Sequence, residues 1–386
     1  MEVKKLKECC TIIAGQSPES KYYNSNGDGL PFFQGKADFG ELYPSIRVYC
    51  SQPTKIAEKD DILLSVRAPV GPTNLAPCKV CIGRGLTAIR PSEVLLTRYV
   101  LLFFRYFEAQ LASKGTGTTF KAITQDVVKN LEIPIPPLPE QERIVARIEE
   151  LFSQLDAGVE TLKKTKAQLA VYRQAVLKEA FESVIPESDT CNVEDVCKDI
   201  KVGIVIKPAQ YYTSADVGVR AFRSANVREF AVNDSDWVYL TKAGHEANLR
   251  SEIHTGDVLV VRSGYPGTAC VVPPTYNGCN AIDILIAVPY AEKILPEYLC
   301  AYTNSPLGKR IIQEKKRGVA QAHFNVSGYS KTPIIVPCLE TQKRVVAEID
   351  SRLSVCDSIE QTVDAALQQA EAMRQSILKN AFEGRL

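Results

Sequence analysis

Residues 134–182 constrain this chain more than any other stretch, because the same stretch occurs twice. It opens with I-P-I-P-P-L-P-E-Q-E-R-I-V-A-R-I at 133–148 and closes with Y-R-Q-A-V-L-K-E-A-F-E from Tyr172. Adding 201 to each number lands on P-C-L-E-T-Q-K-R-V-V-A-E-I from Pro337 and M-R-Q-S-I-L-K-N-A-F-E from Met373. The offset holds without a gap from Pro136/Pro337 through Asp156/Asp357 to Phe181/Phe382. One inserted residue rotates the rest of a helix by about 100°, so gapless spacing predicts a long rigid helix in each copy. Two helices of about 44 residues would each be a rod of roughly 65 Å.

A coiled-coil period supports this. Ile148, Leu155, Leu162, Leu169 and Val176 fall seven apart, with Ile144, Leu151, Gly158, Thr165 and Tyr172 interleaved. The second copy gives Ile349, Cys356, Val363, Ala370 and Ile377, interleaved with Val345, Arg352, Ile359, Ala366 and Met373. Small and polar residues on this seam predict close helix approach. Each helix follows a proline-rich lead-in (Pro134, Pro136, Pro137, Pro139; Pro333, Pro337), where extended backbone turns helical.

Charge sets the helices apart from the rest. The chain has net charge +1. Residues 1–131 carry 17 Lys+Arg against 12 Asp+Glu, and 186–331 carry 16 against 16. The helical stretches 132–185 and 332–386 carry 7 against 9 and 6 against 8. A nucleic-acid surface must therefore be local to the globular segments, while the helices are solvated or face protein. With no apolar run of membrane length and no apolar leader after M-E-V-K-K-L-K-E-C-C, a cytoplasmic protein is expected. The twelve cysteines show no secreted disulfide framework, and C-x-x-C at 78–81 lacks the second pair a zinc site needs. No metal is expected.

The globular segments repeat the order of their elements with little residue identity. A strand at 31–38 is answered by one at 219–228, and the buried strand 60–67 by 256–262. The loop R-A-P-V-G at 67–71 is answered by R-S-G-Y-P-G at 262–267, which puts Arg67 and Arg262 at equivalent points. An apolar helix at 98–113 is answered by 295–309, and the glycine loop 114–121 by the basic loop 315–325. The expected fold is α+β: two diverged α/β recognition domains separated by two long antiparallel coiled-coil helices, with pseudo-twofold symmetry. The expected boundaries are 1–132, 133–185, 186–332 and 333–386.

The lead-in I-P-x-P-P-L-x-E-Q-x-R-I, the A-F-E ending and the strand-R-S-G-x-x-G loop resemble the specificity subunit of bacterial type I restriction–modification enzymes. The resemblance covers essentially the whole chain, with R-A-P-V-G at 67–71 and Thr341-Gln342 as departures. It implies two target-recognition domains, each reading one half of a bipartite site in double-stranded DNA. It also implies that the paired helices fix the spacing and dock two methylation subunits, joined by a restriction/translocase subunit. The chain itself would bind no cofactor and catalyse nothing. S-adenosylmethionine, ATP and Mg would be used by the partner subunits for adenine N6 methylation and DNA cleavage. The residues agree: there is no phosphate-binding G-x-x-x-x-G-K-[S/T], no N-P-P-Y-like tetrapeptide and no local Ser/His pattern.

Base reading needs Arg, Lys, Asn and Gln on loops able to enter a groove. The candidates are Gln34, Lys36, Arg67, Arg84, Lys114, Thr118, Thr119 and Lys121 in the first domain. In the second they are Arg223, Asn226, Arg228, Arg262, Tyr265, Lys315, Lys316, Arg317, Gln321, His323 and Asn325. The loops 114–121 and 315–325 are the phosphate-contact candidates. Helices that keep their repeat without a gap, beside more diverged domains, point to one shared partner on the helices. Its docking candidates are Gln141, Arg143, Arg173, Gln174, Phe181, Gln342, Arg344, Arg374, Gln375 and Phe382. The alternatives are a related type II bipartite-site enzyme, a complete restriction or modification enzyme, and a coiled-coil adaptor that binds only protein.

Overall fold

The computed structural model describes residues 2–115, 122–185, 188–317 and 324–386. The chain forms two compact units. One comprises Met1–Leu162 with Asp364–Leu386, the other Lys163–Val363. The two long helices run over Leu138–Glu182 and Leu339–Phe382, at 45 and 44 residues. Each unit thus holds one α/β domain, the first half of one long helix and the last half of the other.

In the first unit a four-stranded sheet takes the order Cys10–Ala14, Leu86–Pro91, Ile62–Ser65, Thr73–Leu75, antiparallel throughout. Ile62–Ser65 is buried at every residue, which explains why its sequence runs apolar without alternation. Behind it lies the helix Thr97–Ser113, whose Phe103 and Phe104 join Ile62, Leu64, Ile144, Ile148, Leu378 and Ala381 in one core. Burying a Phe or Leu stabilises by about 1.5–3 kcal/mol, so this shared core fixes the domain on its helix pair. The lead-in Glu132–Ile135 pairs with Glu2–Lys5 as an antiparallel ribbon.

The second unit repeats the plan. Its main sheet runs Cys197–Val202, Ile284–Pro289, Val258–Val261, Ala269–Val271. Its core joins Val258, Val260, Tyr298 and Leu299 to Val176, Leu177, Phe181, Val345, Ile349 and Leu353. The lead-in Pro333–Val336 pairs with Asp189–Asn192. Where one helix was expected at 295–309 there are two, Pro296–Asn304 and Pro306–Arg317. Pro306 has no N–H to continue the first helix and starts the second instead.

Within each unit the helix segments are antiparallel. In the first, Arg143 reaches the Leu386 carbonyl and Asp156 meets Arg374; in the second, Arg173 meets Asp357 and Glu179 meets Arg352. The seven-residue row is on the seam, with Ile148, Leu169, Val176, Ile349, Cys356, Val363 and Ala370 buried. The interleaved row is a partial correction: Gly158, Tyr172, Ile359 and Met373 are exposed. At 3.6 residues per turn a straight helix drifts off a strict heptad, and the domains, not a second helix, cover its ends.

Candidate nucleic-acid interface

Each α/β domain carries a cleft at the end of its central strand. In the first, Leu30–Phe33 ends at Gln34 and the chain enters the short turn Lys36–Asp38. Beside it Ile62–Ser65 ends in a turn closed by Gly71 N–H to Ser65 O at 2.9 Å, with Ser65 Oγ donating to Pro69 O at 2.9 Å. Gly85 completes the wall, and a Cβ there would lie 2.2 Å from Gln34 O, so only glycine fits. The resulting cleft of about 770 Å³ is lined by Gln34, Lys36, Arg67 and Arg84 and by no carboxylate among the described residues. All four side chains are exposed.

The second domain builds the same cleft from different residues. Gly267 N–H closes on Val261 O at 3.0 Å as Gly71 closes on Ser65, and Val261 N–H bonds Thr268 O as Ser65 N–H bonds Pro72 O. The cleft, about 800 Å³, is lined by Ser224, Arg228, Ser263, Tyr265, Lys309 and Gln313 among others and, unlike the first, by a carboxylate, Glu229, which pairs with Lys309. Sequence reading missed Lys309 and Gln313. Their signal was the four-residue spacing on Pro306–Arg317, which puts both on one helix face.

These hydrogen bonds correct the equivalence of Arg67 and Arg262. Ile123 N–H bonds Val66 O at 3.0 Å, and Phe324 N–H bonds Arg262 O at 3.1 Å, so Arg262 stands where Val66 does. Arg67 corresponds to Ser263. Arg262 is correspondingly turned inward: Nε donates to Phe324 O at 3.2 Å and Nη1 to Asp283 Oδ1 at 3.1 Å, with the side chain 14% exposed.

Three other second-domain candidates have internal partners. Asn226 is fully buried, accepting from Arg223 N–H at 2.9 Å and donating to Ser235 O at 2.8 Å, so reading a base does not fit its placement. Arg223 pairs with Asp236 at 2.8 Å. Asn325 caps the helix Val326–Ser330 by accepting from Gly328 N–H at 2.7 Å. Arg228 and Tyr265 remain exposed at the cleft. Lys114 is exposed at the end of its helix. Residues 315–317 continue a helix where a loop was expected, because the helix begun at Pro306 runs to Arg317. Thr118, Thr119, Lys121, Gln321 and His323 lie outside the described residues.

The docking candidates divide. Gln141 and Gln342 are wholly buried and do the same internal job. Gln141 accepts from Leu96 N–H at 2.9 Å and donates to Val94 O and Pro136 O, both at 2.8 Å. Gln342 accepts from Leu295 N–H and donates to Lys293 O and Pro337 O, all at 2.9 Å. Neither offers an atom to a partner. Phe181 is buried edge-on against Tyr298 and Tyr302, and Phe382 packs against Tyr99, Phe103 and Tyr106. Both pin a helix end to a domain. Arg173 and Arg374 form ion pairs within the helix pair, whereas Arg143, Arg344 and Gln375 are exposed and Gln174 is half-buried.

Among the described residues no group of three or more His, Cys, Asp or Glu is placed to hold a metal ion. No described helix is long and apolar enough to cross a membrane.

Two diverged α/β domains, each carrying an equivalent cleft and each closed on the same antiparallel helix pair, define a duplicated recognition scaffold. A family model described as the type I restriction modification DNA specificity domain matches residues 1–170. The chain is 40% identical over 167 residues to a putative type I restriction enzyme MjaX specificity subunit of Methanocaldococcus jannaschii, covering 43% of this chain and 38% of that one. It is 24% identical over 331 residues to the EcoKI specificity subunit of Escherichia coli, covering 80% and 70%. In fold it is similar to the HsdS subunit of Thermoanaerobacter tengcongensis (TM-score 0.56, 20% identity, 100% and 97% covered). It is also similar to a chain solved in work on complex assembly and conformational transition of the type I R-M system (TM-score 0.77, 19% identity, 100% and 98% covered). Over residues 1–170 the chain is thus similar to the DNA specificity domain of type I restriction–modification enzymes, and over its length it shares the fold of their specificity subunits.

Proposed function

We propose that this chain is the DNA-reading subunit of a type I restriction–modification complex, with each α/β domain reading one half of a bipartite site. The observation that carries the reading is the pair of equivalent strand-end clefts with different linings. One holds Gln34, Lys36, Arg67 and Arg84, the other Arg228 and Tyr265, with Lys309 paired to Glu229. Arginine and lysine can pair with guanine O6/N7 and glutamine with adenine N6/N7, so different linings select different sequences. The duplicated helices suit two copies of one methylation subunit. A restriction/translocase subunit completes the assembly in the cytoplasm, and the partners use S-adenosylmethionine, ATP and Mg. Catalysis belongs to those partners.

The test is methylation sequencing of cells expressing the full chain with its methylation subunits. The expected motif has two specific halves separated by unspecified bases, and the double variant Arg67→Ala, Arg84→Ala should relax one half alone. A contiguous motif, or relaxation spread over both halves, would sink the two-cleft reading.

A further inference from the structure

In the second domain the loops after the edge strand Cys197–Val202 and the inner strand Val258–Val261 end in exposed apolar tips. Tyr265 is 85% exposed, more than any other large apolar side chain among the described residues, and Ile206 is 79% exposed with Val205 beside it. Such side chains on a soluble surface mark contact sites when they cluster. Here one residue, Asp283, joins the two loops. Its N–H donates to Ile204 O at 3.1 Å, anchoring the loop that leads to Ile206. Its carboxylate takes Arg262 Nη1 at 3.1 Å and Ser263 Oγ at 3.4 Å, anchoring the loop that leads to Tyr265.

Both loops are built stiff. Gly264 and Gly267 have φ of 79° and 90°, Gly267 N–H closes the turn on Val261 O, and a Cβ added at Gly267 would lie 3.0 Å from Ile312. Asp283 and Lys207 are non-glycine residues with φ of 52° and 44°, backbone that is held only where the surroundings impose it. A side chain carried on a braced turn costs little backbone entropy when it is covered.

The first domain has the same turns without the apolar tips. The residue equivalent to Tyr265 is Pro69, and those equivalent to Val205 and Ile206 are Ser17 and Pro18. Its cleft presents Arg67 and Arg84 instead. Lys207 and Arg228, both exposed, flank the apolar tips of the second domain and would meet phosphates on either side of an opened step.

We propose that Tyr265, with Ile206, is an apolar wedge that enters a base step of the second half-site. The two domains then read DNA by different means: the first by polar contacts to base edges, the second in part by the ease with which one step unstacks. This rests on the DNA-reading function proposed above. Wedges of this kind unstack a step and kink the duplex, and flexible pyrimidine–purine steps yield most readily.

The experiment uses the full chain with its methylation subunits and duplexes carrying the recovered motif. A fluorescent base, 2-aminopurine or a guanine analogue, is placed in turn at each position of the second half. Beside any rise at the adenines that the methylation subunits flip out, binding should raise fluorescence several-fold at one further step of the second half, with no such further step in the first half. Tyr265→Ala should abolish that rise and weaken binding about tenfold, the scale of one lost aromatic–base stack, whereas Tyr265→Phe should keep both. Ile206→Ser should reduce the rise. Unaltered melting temperatures check the fold, since both side chains are exposed.

Tight binding of the motif with no such further rise in the second half, or with one unchanged by Tyr265→Ala, overturns the wedge and leaves the DNA-reading function standing. A wild-type complex that selects no motif removes that function, and the wedge with it.

Discussion

Arg173 places Nη2 2.6 Å from Oδ1 of Asp357, and the same contact is made in the other unit by Arg374 and Asp156. Each partner is displaced by 201 residues from its counterpart, so one duplicated segment wrote both ends of the interaction. An antiparallel pair of identical helices brings residue i of one copy against residue j of the other, and j against i, as in any twofold contact. Asp and Arg at positions facing each other therefore complement twice. Arg173 adds a second carboxylate, Glu360, at 3.0 Å.

Such pairs are worth little singly. Arg173 keeps 24% of its side chain exposed and Asp357 61%, so screening limits the gain to about 0.5–1 kcal/mol. Arg173→Asp should lower stability by about 1–2 kcal/mol through repulsion from Asp357 and Glu360. The double exchange Arg173→Asp, Asp357→Arg should recover about half of that, because Glu360 stays attractive to the new arginine. Urea unfolding of the four combinations measures it, and simple additivity would show that the pair is not coupled.

Gln141→Ala and Gln342→Ala should each be far more costly than loss of an exposed helix residue. Each removal leaves one backbone N–H and two carbonyls without their partner at a buried site, for about 2–3 kcal/mol. Arg344→Ala, at an exposed neighbour, should stay within about 0.5 kcal/mol. Binding of a methylation subunit below the melting range should be retained in both glutamine variants. Loss of binding with unchanged unfolding would return these residues to a docking role.

The long helices were legible because a duplicated, gapless pattern leaves no other reading, and the buried strand Ile62–Ser65 because an apolar run bounded by turns is short. The particular surfaces were harder. Gln141 looks like a docking residue from its repetition alone, yet repetition also preserves an internal scaffold, and only burial separates the two. Arg262 stands one residue out of register with Arg67, since both loops open on an arginine by letter while the Ile123–Val66 and Phe324–Arg262 hydrogen bonds align Arg262 with Val66. The break at Pro306 was visible as a proline but not as the start of a cleft-facing helix.

A buried carboxylate stands at the same point of both domains, but only one has an arginine beside it. Asp61 is buried against Arg90 at 2.7 Å, while its counterpart Asp257, also buried, has Val288 at the position of Arg90. Burial without that arginine raises the Asp257 pKa above the usual carboxylate value. A raised folded-state pKa favours folding only below the unfolded value near 4, and that contribution is lost as pH rises through the folded one. Val288→Arg should reverse the sign, adding about 1 kcal/mol near pH 7 that is lost only as pH falls below about 4, through the depressed folded-state pKa. Urea midpoints from about pH 2.5 to 7 for wild type and variant test this. A constant difference across the range would show that Asp257 does not titrate there.

Arg67 and Arg262, one residue apart in register, should separate most clearly. Arg67 is exposed at its cleft, so Arg67→Ala should leave unfolding within about 0.5 kcal/mol of wild type. If it pairs with a base, the same change should relax one half-site by about 1–3 kcal/mol. Arg262 holds Asp283 and the Phe324 carbonyl together, so Arg262→Ala should cost about 1–2 kcal/mol of stability. Recognition in the second half-site should weaken with it, because the loops anchored on Asp283 lose their brace. Arg262→Lys should repair little, since an ammonium cannot span both acceptors as the planar fork does. Unfolding and methylation-motif measurements on all three variants decide the matter. An Arg262→Ala protein with wild-type stability and a relaxed second half would make Arg262 a base reader after all.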